Sequence, residues 1–368
     1  MTMLERVYID NYRTLVNCEI RLDTVSLLLG PNGGGKSAVF DAVRTVKRFV
    51  GGVGLVTDLF PGADVTRWQN LDSQTFELDV RTEQGLCRYT LKLKHTADRR
   101  RCRVFLETLT LDGKPLFTFE EGEVQLYNDR HAPGPKMNFD WNRSGLSAIY
   151  ERHDNTKLTG FKERLSRIVF LRPCPPLMVT DSQTEAEELT IPGDNFPSWY
   201  RFLARQDISQ QVDLLQELRE AVDGLEKIRL EGPADSTVTL RVSIKGPMGG
   251  PPVAYKFGEL SDGQRQLIVL YALLFGVSDE RRVLFLDEPD NYLSPQEVEP
   301  WLTAAMDAAG RSVAQVIVIS HHPEVIDHLA QEKGIWLRRE AGGPTRVETG
   351  RARDTAPLRP SEVEKRGW

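Results

Sequence analysis

Cysteine is scarce in this chain: Cys18, Cys87, Cys102 and Cys174 are the only four among 368 residues, and no two form a C-x-x-C pair. That argues against a disulfide framework or a zinc ribbon and for four reduced structural thiols. Long apolar runs are missing too. No stretch approaches the length of a membrane span, and the start, Met1-Thr2-Met3-Leu4-Glu5-Arg6, lacks the basic-then-apolar order of a signal peptide, so no membrane partner and a cytoplasmic location are expected. Positive charge is not in excess: 47 Lys and Arg face 53 Asp and Glu, a formal net charge of −6. Nothing pulls the whole chain toward nucleic acid, although a local basic face remains open. There is no internal repeat, no low-complexity block and no sustained heptad pattern. The remaining composition, 40% hydrophobic and 27% charged, is that of an ordinary globular protein with one large domain or two.

Against this plain background one segment stands out. Gly30-Pro31-Asn32-Gly33-Gly34-Gly35-Lys36-Ser37 satisfies G-x-x-x-x-G-K-[ST] at every fixed position, between the apolar run Val25–Leu29 and a helical stretch from Ala38. Glycines let the backbone wrap a polyphosphate with its N–H groups and a helix N-terminus facing the anionic oxygens. Lys36 is placed to neutralise the outer phosphates, and the Ser37 hydroxyl to ligate Mg²⁺. A glycine-rich turn that binds nothing would not need strand, helix and Lys-Ser pair together.

A second cluster lies far downstream. Leu260-Ser261-Asp262-Gly263-Gln264-Arg265-Gln266 opens an apolar helix, and the strand-like Val283-Leu284-Phe285-Leu286 then ends in Asp287-Glu288-Pro289. Asp287 is positioned to hold Mg²⁺, and Glu288 to orient and deprotonate an attacking water. A further apolar run, Val316–Ile319, ends in Ser320-His321-His322. Ligands of open α/β sheets gather at such carboxyl ends.

Phosphate loop, L-S-D-G-Q signature, D-E-P pair and histidine, in this order, resemble the ATP-binding-cassette (ABC) ATPases. Within them the chain is most similar to the soluble branch of RecF, SMC and overcoming-lysogenization-defect (OLD) ATPases. The opening Leu4-Glu5-Arg6-Val7-Tyr8-Ile9-Asp10-Asn11-Tyr12-Arg13 looks like that branch's first strand and aromatic-basic turn, and Gly193-Asp194-Asn195-Phe196 resembles a linker motif of OLD-like members. The distance from Lys36 to Ser261 is too long for a transporter subunit and too short for SMC coiled-coil arms. Only a short tail follows the histidine, without the carboxylate-rich domain of an OLD nuclease. The chain therefore resembles a stand-alone ATPase module.

The resemblance implies a P-loop NTPase of ABC type: an α/β fold with a mixed central sheet and flanking helices, an antiparallel β subdomain and a helical insertion. It implies ATP and Mg²⁺ as ligands, and a homodimer in which Ser261 and Gly263, with Gln264, reach the γ-phosphate held by the partner's phosphate loop. Glu288 would be the catalytic base and His321 the γ-phosphate switch; His321 is preferred to His322 because Pro323 aligns the pair with an H-x-P form. Arg13 is a candidate for the nucleotide phosphates. Gln69, chosen over Gln74, is the candidate metal-sensing glutamine. Ser294 stands where relatives often carry aspartate or histidine. Two functions fit: a DNA-dependent ATPase in repair or anti-phage defence, or an ATP-gated scaffold holding a separate nuclease or toxin.

The pattern along the chain suggests an ATPase lobe with β subdomain over 1–112, an insertion or helical region over 113–225, a second ATPase lobe over 226–345 and a basic tail over 346–368. Within these, alternation predicts an antiparallel sheet from Thr75–Arg81, Cys87–Lys94 and Arg103–Leu111. His131–Arg143 reads as an exposed loop, Thr180–Thr190 as a mobile acidic segment, and Phe202–Leu225 as helix. Arg99-Arg100-Arg101 with Arg103, and Arg351, Arg353, Arg359, Lys365 and Arg366, are basic clusters open to nucleic acid or simply to solvent.

Overall fold

The computed structural model describes residues 3–233, 236–277, 282–340, 342–349 and 361. In chain order, β1 (Met3–Asp10), β2 (Cys18–Arg21) and β3 (Val25–Leu29) lead into α1 (Lys36–Val50) and the short α2 (Val56–Leu59). Six strands follow: β4 (Ser73–Thr82), β5 (Gly85–His95), β6 (Cys102–Leu111), β7 (Lys114–Glu120), β8 (Glu123–Tyr127) and β9 (Pro133–Asn138). Then come α3 (Thr156–Ser166), β10 (Ile168–Leu171), β11 (Asp181–Ser182), α4 (Phe196–Gln206), α5 (Ile208–Ala221), β12 (Leu225–Glu231), β13 (Val238–Ile244) and β14 (Val253–Lys256). The last stretch holds α6 (Asp262–Phe275), β15 (Val283–Asp287), α7 (Pro295–Ala308), β16 (Gln315–Ile319), α8 (Pro323–Lys333), β17 (Gly334–Arg339) and β18 (Thr345–Thr349). None of the described helices is long and apolar enough to cross a membrane. Contacts divide the chain into two units, 1–168 with 330–368, and 169–329.

The first unit carries an eight-stranded antiparallel sheet in the order β2-β1-β4-β5-β6-β7-β8-β9. Its strands alternate as half-buried strands must, with Phe76, Leu78 and Val80 of β4 facing the core. Alongside, β3 pairs in parallel with β17, which turns back antiparallel into β18. All five residues of β3 are buried, and all but Ser26 are apolar, so it shows no alternation. α1 buries Val39, Phe40, Val43, Val46, Phe49 and Val50. An aromatic chain ties it to the large sheet: Phe49 meets Phe60 at 5.7 Å, Phe60 meets Phe76 at 5.1 Å, and Phe76 meets Tyr12 at 5.5 Å between ring centroids.

In the second unit β10, β15 and β16 lie side by side, with β15 and β16 parallel and Asp287 opposite Ile319. Both long strands are wholly buried. A small antiparallel sheet, β11-β13-β12 with β14 on β13, completes the unit. The Gly193–Phe196 motif is a turn: Gly193 has φ 72°, the Asn195 amide donates to Glu188 O at 2.9 Å, and Phe196 is fully buried at the start of α4.

Four sequence expectations are corrected here. Within His131–Arg143, residues Pro133–Asn138 form β9, all exposed on the edge of the sheet and therefore without the alternation that would reveal a strand. The region 113–225 begins not with helix but with β7, β8 and β9. Phe202–Leu225 is not one helix: α4 ends before Asp207, which caps α5 by accepting from Ser209 N at 2.8 Å, and β12 starts at Leu225. Thr180–Thr190 is held in place, with β11 paired to β13 and Glu185 bonded to Arg205. Arg351, Arg353, Arg359, Lys365 and Arg366 lie outside the described residues.

Candidate functional site

The phosphate loop follows β3 and is shaped by what lies against it. Gly30 has φ +136° and a Cβ there would stand 2.0 Å from Leu337 O; a Cβ at Gly34 would stand 2.8 Å from the same oxygen. At Gly35, φ +105°, a Cβ would meet Thr345 Oγ1 at 2.6 Å. The β17–β18 hairpin thus presses on the loop from one side, and only glycine fits. Thr345 Oγ1 donates to Gly34 O at 2.9 Å and Arg339 Nη1 to Gly33 O at 3.0 Å, so the hairpin also fixes the loop's carbonyls. Pro31, Asn32 and Gly33 are exposed.

Lys36 is buried and folds back over the loop, its Nζ donating to Gly30 O and to Pro31 O at 3.2 Å. Ser37 and Ala38 continue the first turn of α1. No side chain caps that helix and no acidic residue lies in its first turn, so its N-terminal partial positive charge is not cancelled locally. A glycine cradle, an uncapped helix start and a lysine suit a polyphosphate.

In the second unit, Asp287 ends β15 nearly buried, and Arg172, just after β10, donates from Nη2 to its Oδ2 at 2.7 Å. Glu288 turns the chain with φ +53°, a left-handed conformation costly for glutamate. Its backbone N–H donates to Ile319 O at 2.8 Å, and its Oε2 accepts from Asn291 Nδ2 at 2.7 Å. Strain of this kind collects where a side chain is aimed for a purpose. Asp290 is buried, and its burial raises its carboxyl above the usual aspartate range against a hydrogen bond from Ser320. A carboxylate such as that of Asp287 is an oxygen donor of the kind that suits Mg²⁺, which binds through one or two protein oxygens completed by phosphates.

The signature forms the start of α6. Ser261 is its N-cap, accepting from Gln264 N at 3.2 Å while Gln264 Oε1 accepts from Ser261 N at 3.1 Å. A Cβ at Gly263 would lie 3.0 Å from Tyr292 O, a tight contact. Ser294, the departure from the family pattern, caps α7 in a box with Glu297 and so has a local structural role. His321 is exposed just past β16, whereas the His322 ring accepts from Glu324 N at 3.3 Å at the start of α8.

Two expected residues sit in unforeseen surroundings. Arg13 lies between Asp41 and Asp64, with Nε 2.8 Å from Asp64. Gln69, in the loop before β4, has its Oε1 buried without a hydrogen-bond partner. Gln74 is wholly buried and bonded to Asn11 O at 2.9 Å and to His95 at 2.9 Å. Sequence reasoning missed Arg172, Arg339 and Thr345, each far along the chain from the group it touches. Their only local signal was a polar residue beside an apolar strand.

Residues 179–327 match a family model described as "AAA domain, putative AbiEii toxin, Type IV TA system". Among solved structures, the chain is similar to an SMC head domain from Thermotoga maritima, at 16% identity over 94% of this chain and 98% of that one, TM-score 0.51. It is similar to an SMC head bound to the C-winged helix domain of ScpA, at 11% identity over 94% and 98%, TM-score 0.56. A third is an SMC head with an extended coiled coil bound to the C-terminal domain of ScpA, derived from Pyrococcus furiosus, at 12% identity over 95% and 97%, TM-score 0.54. Comparison with curated proteins gives no match. The chain has the fold of an SMC head, an α/β P-loop fold of ABC-ATPase type. The AAA match spans residues 179–327, and the likeness in fold spans nearly the whole chain.

Proposed function

We propose that this protein binds ATP with Mg²⁺, dimerises around it and hydrolyses it, coupling the cycle to DNA or to a partner effector in the cytoplasm. One observation carries the reading: a sterically glycine-only loop leads into an uncapped helix whose first residue is Lys36. In this reading the loop N–H groups of Gly33 to Ala38 and the Lys36 ammonium hold the phosphates. Ser37 and Asp287 supply oxygens to the metal, with Gln69 as its sensor. Bound Mg²⁺ would neutralise phosphate charge as the bond to the leaving oxygen breaks. Glu288 takes the proton of the attacking water, its carboxylate oriented by the hydrogen bond from Asn291. His321 contacts the γ-phosphate. Ser261, Gly263 and Gln264 of the second subunit close over the first subunit's ATP, so that hydrolysis opens the pair.

ATP turnover of the purified chain with and without double-stranded DNA tests this, with Lys36→Ala as the blank. Turnover that Lys36→Ala leaves intact would refute the site. Glu288→Gln should keep ATP and form a stable dimer on sizing; an ATP-loaded variant that stays monomeric would refute the sandwich. Stimulation by DNA would favour the clamp and direct mapping to Arg99 to Arg101 and Arg103.

A second reading is an ATP-gated scaffold for a separate nuclease or toxin. The family description, which names a toxin, and the ScpA domains bound to two of the similar SMC heads favour it. Turnover indifferent to DNA, with a protein captured only by ATP-loaded Glu288→Gln, is its expected signature.

A further inference from the structure

Among the five aromatic–arginine pairs of the first unit's described residues, those of Arg13 and Arg339 differ in what they leave open. In one, the Arg13 guanidinium lies 5.2 Å from the Tyr12 ring centroid, but Tyr12 is 1% exposed, edge-on to Phe76, and Arg13 is bonded to Asp41 and Asp64. That pair is closed. In the other, Arg339 lies 5.0 Å from the ring centroid of Trp68, which is 43% exposed.

The open pair is fixed to the phosphate loop. Arg339 donates from Nη1 to Gly33 O at 3.0 Å, and from Nε and Nη2 to Gly343 O and Gly342 O at 2.8 Å each. A single guanidinium plane therefore separates the Trp68 indole from the loop. The segment bearing Trp68 is also anchored: the Asn11 side chain donates to Leu71 O at 3.2 Å and Ser73 O at 2.7 Å, and Gln74 holds Asn11 O in turn. Isolated exposed apolar residues are common on protein surfaces and carry no meaning by themselves. A rigid exposed indole one guanidinium away from a polyphosphate cradle is a different matter, because the base of a nucleotide seated there is tethered to the loop by a single ribose.

We propose that Trp68, backed by Arg339, is the surface on which the purine base of the bound nucleotide stacks. The proposal rests on the nucleotide-binding reading above and adds the base subsite. Stacking uses the π-face common to all bases, so it contributes affinity without choosing strongly between adenine and guanine.

Isothermal titration of the full chain with Mg²⁺-ATP and with Mg²⁺-tripolyphosphate, which lacks a base, tests it without relying on turnover. Trp68→Ala should weaken ATP by about 5- to 150-fold, the range set by loss of one base–aromatic stack, and leave tripolyphosphate unchanged. Trp68→Phe should restore most of the affinity, while losing the ATP-induced quench of Trp68 emission expected of the wild type. Equal weakening of both ligands by Trp68→Ala, or no weakening of either, overturns the base subsite while leaving the phosphate loop standing. A wild type that binds neither ligand, or a Lys36→Ala variant that binds both normally, overturns the nucleotide reading and the subsite with it.

Discussion

At the end of β3 the chain turns by means of glycine, whereas at the end of β15 it turns through Glu288, the residue to which the chemistry is assigned. The two turns manage charge with different materials. Around the phosphate loop the polar groups are backbone atoms and the Lys36 ammonium, with Arg339 and Thr345 as braces beside the Leu337 carbonyl. At the acidic end the polar groups are carboxylates, and their setting is a buried strand, an ion pair to Arg172 and a left-handed backbone. A site that must accept an anion can be made from N–H groups and tolerates no added atoms. A site meant to bind a cation and a proton needs carboxylates, and their desolvation and strain are costs the rest of the unit has to offset.

The largest effect should come from adding one carbon to the first turn. Gly30→Ala places a methyl 2.0 Å from Leu337 O at φ +136°, and should destabilise the first unit by about 2–4 kcal/mol and abolish nucleotide binding. Calorimetric melting and titration with Mg²⁺-ATP check this. A normal melting temperature would mean the hairpin yields easily and does not brace the loop.

The reverse substitution at the other turn should act in the opposite sense. Glu288→Gly removes a left-handed glutamate, relieving about 1–2 kcal/mol. It also adds about 0.5–1 kcal/mol of unfolded-state entropy, and it loses the 2.7 Å contact to Asn291. The net change should be near zero or slightly stabilising, with hydrolysis lost. A clear drop in melting temperature would show that the conformation is not strained, and the contrast between the turns would fail.

Much of this was legible in the sequence, for identifiable reasons. The phosphate loop could be read because its glycines answer a steric requirement that no other residue meets. The place of Asp287 and Glu288 at the tip of a buried strand could be read because an unbroken apolar run leads into them. The parallel strands announced themselves by unbroken apolar runs, and β4 to β6 by alternation. What was not legible depends on partners brought together by the fold. Arg172 meets Asp287 across more than a hundred residues, and Arg339 meets Gly33 across three hundred. β9 is exposed on every residue and so carries no pattern at all. The break at Asp207 lay within a continuous helical periodicity, and only the capping chemistry of the aspartate marked it.

The smallest effect, and the one that sharpens the comparison most, is the response to acid. His95 supports the first unit through Gln74, and burial, together with Arg99, lowers its pKa. A histidine held neutral in the folded state resists protonation there, so its contribution is complete above the unfolded value and is lost as pH falls through the histidine range. Asp290, in the second unit, is shifted the other way by burial. Its folded form takes up a proton more readily than the unfolded chain, so its contribution is greatest in acid and is lost as pH rises through its elevated value. Acidification through the histidine range should therefore loosen β4 and β5, and acidification through the elevated Asp290 value should tighten the segment after β15. Hydrogen exchange, corrected for the intrinsic pH dependence of the rates, reads both regions in one experiment. His95→Gln should remove the first change alone and Asp290→Asn the second alone. A single uniform response to acid across both regions would mean that the two turns are not independently supported.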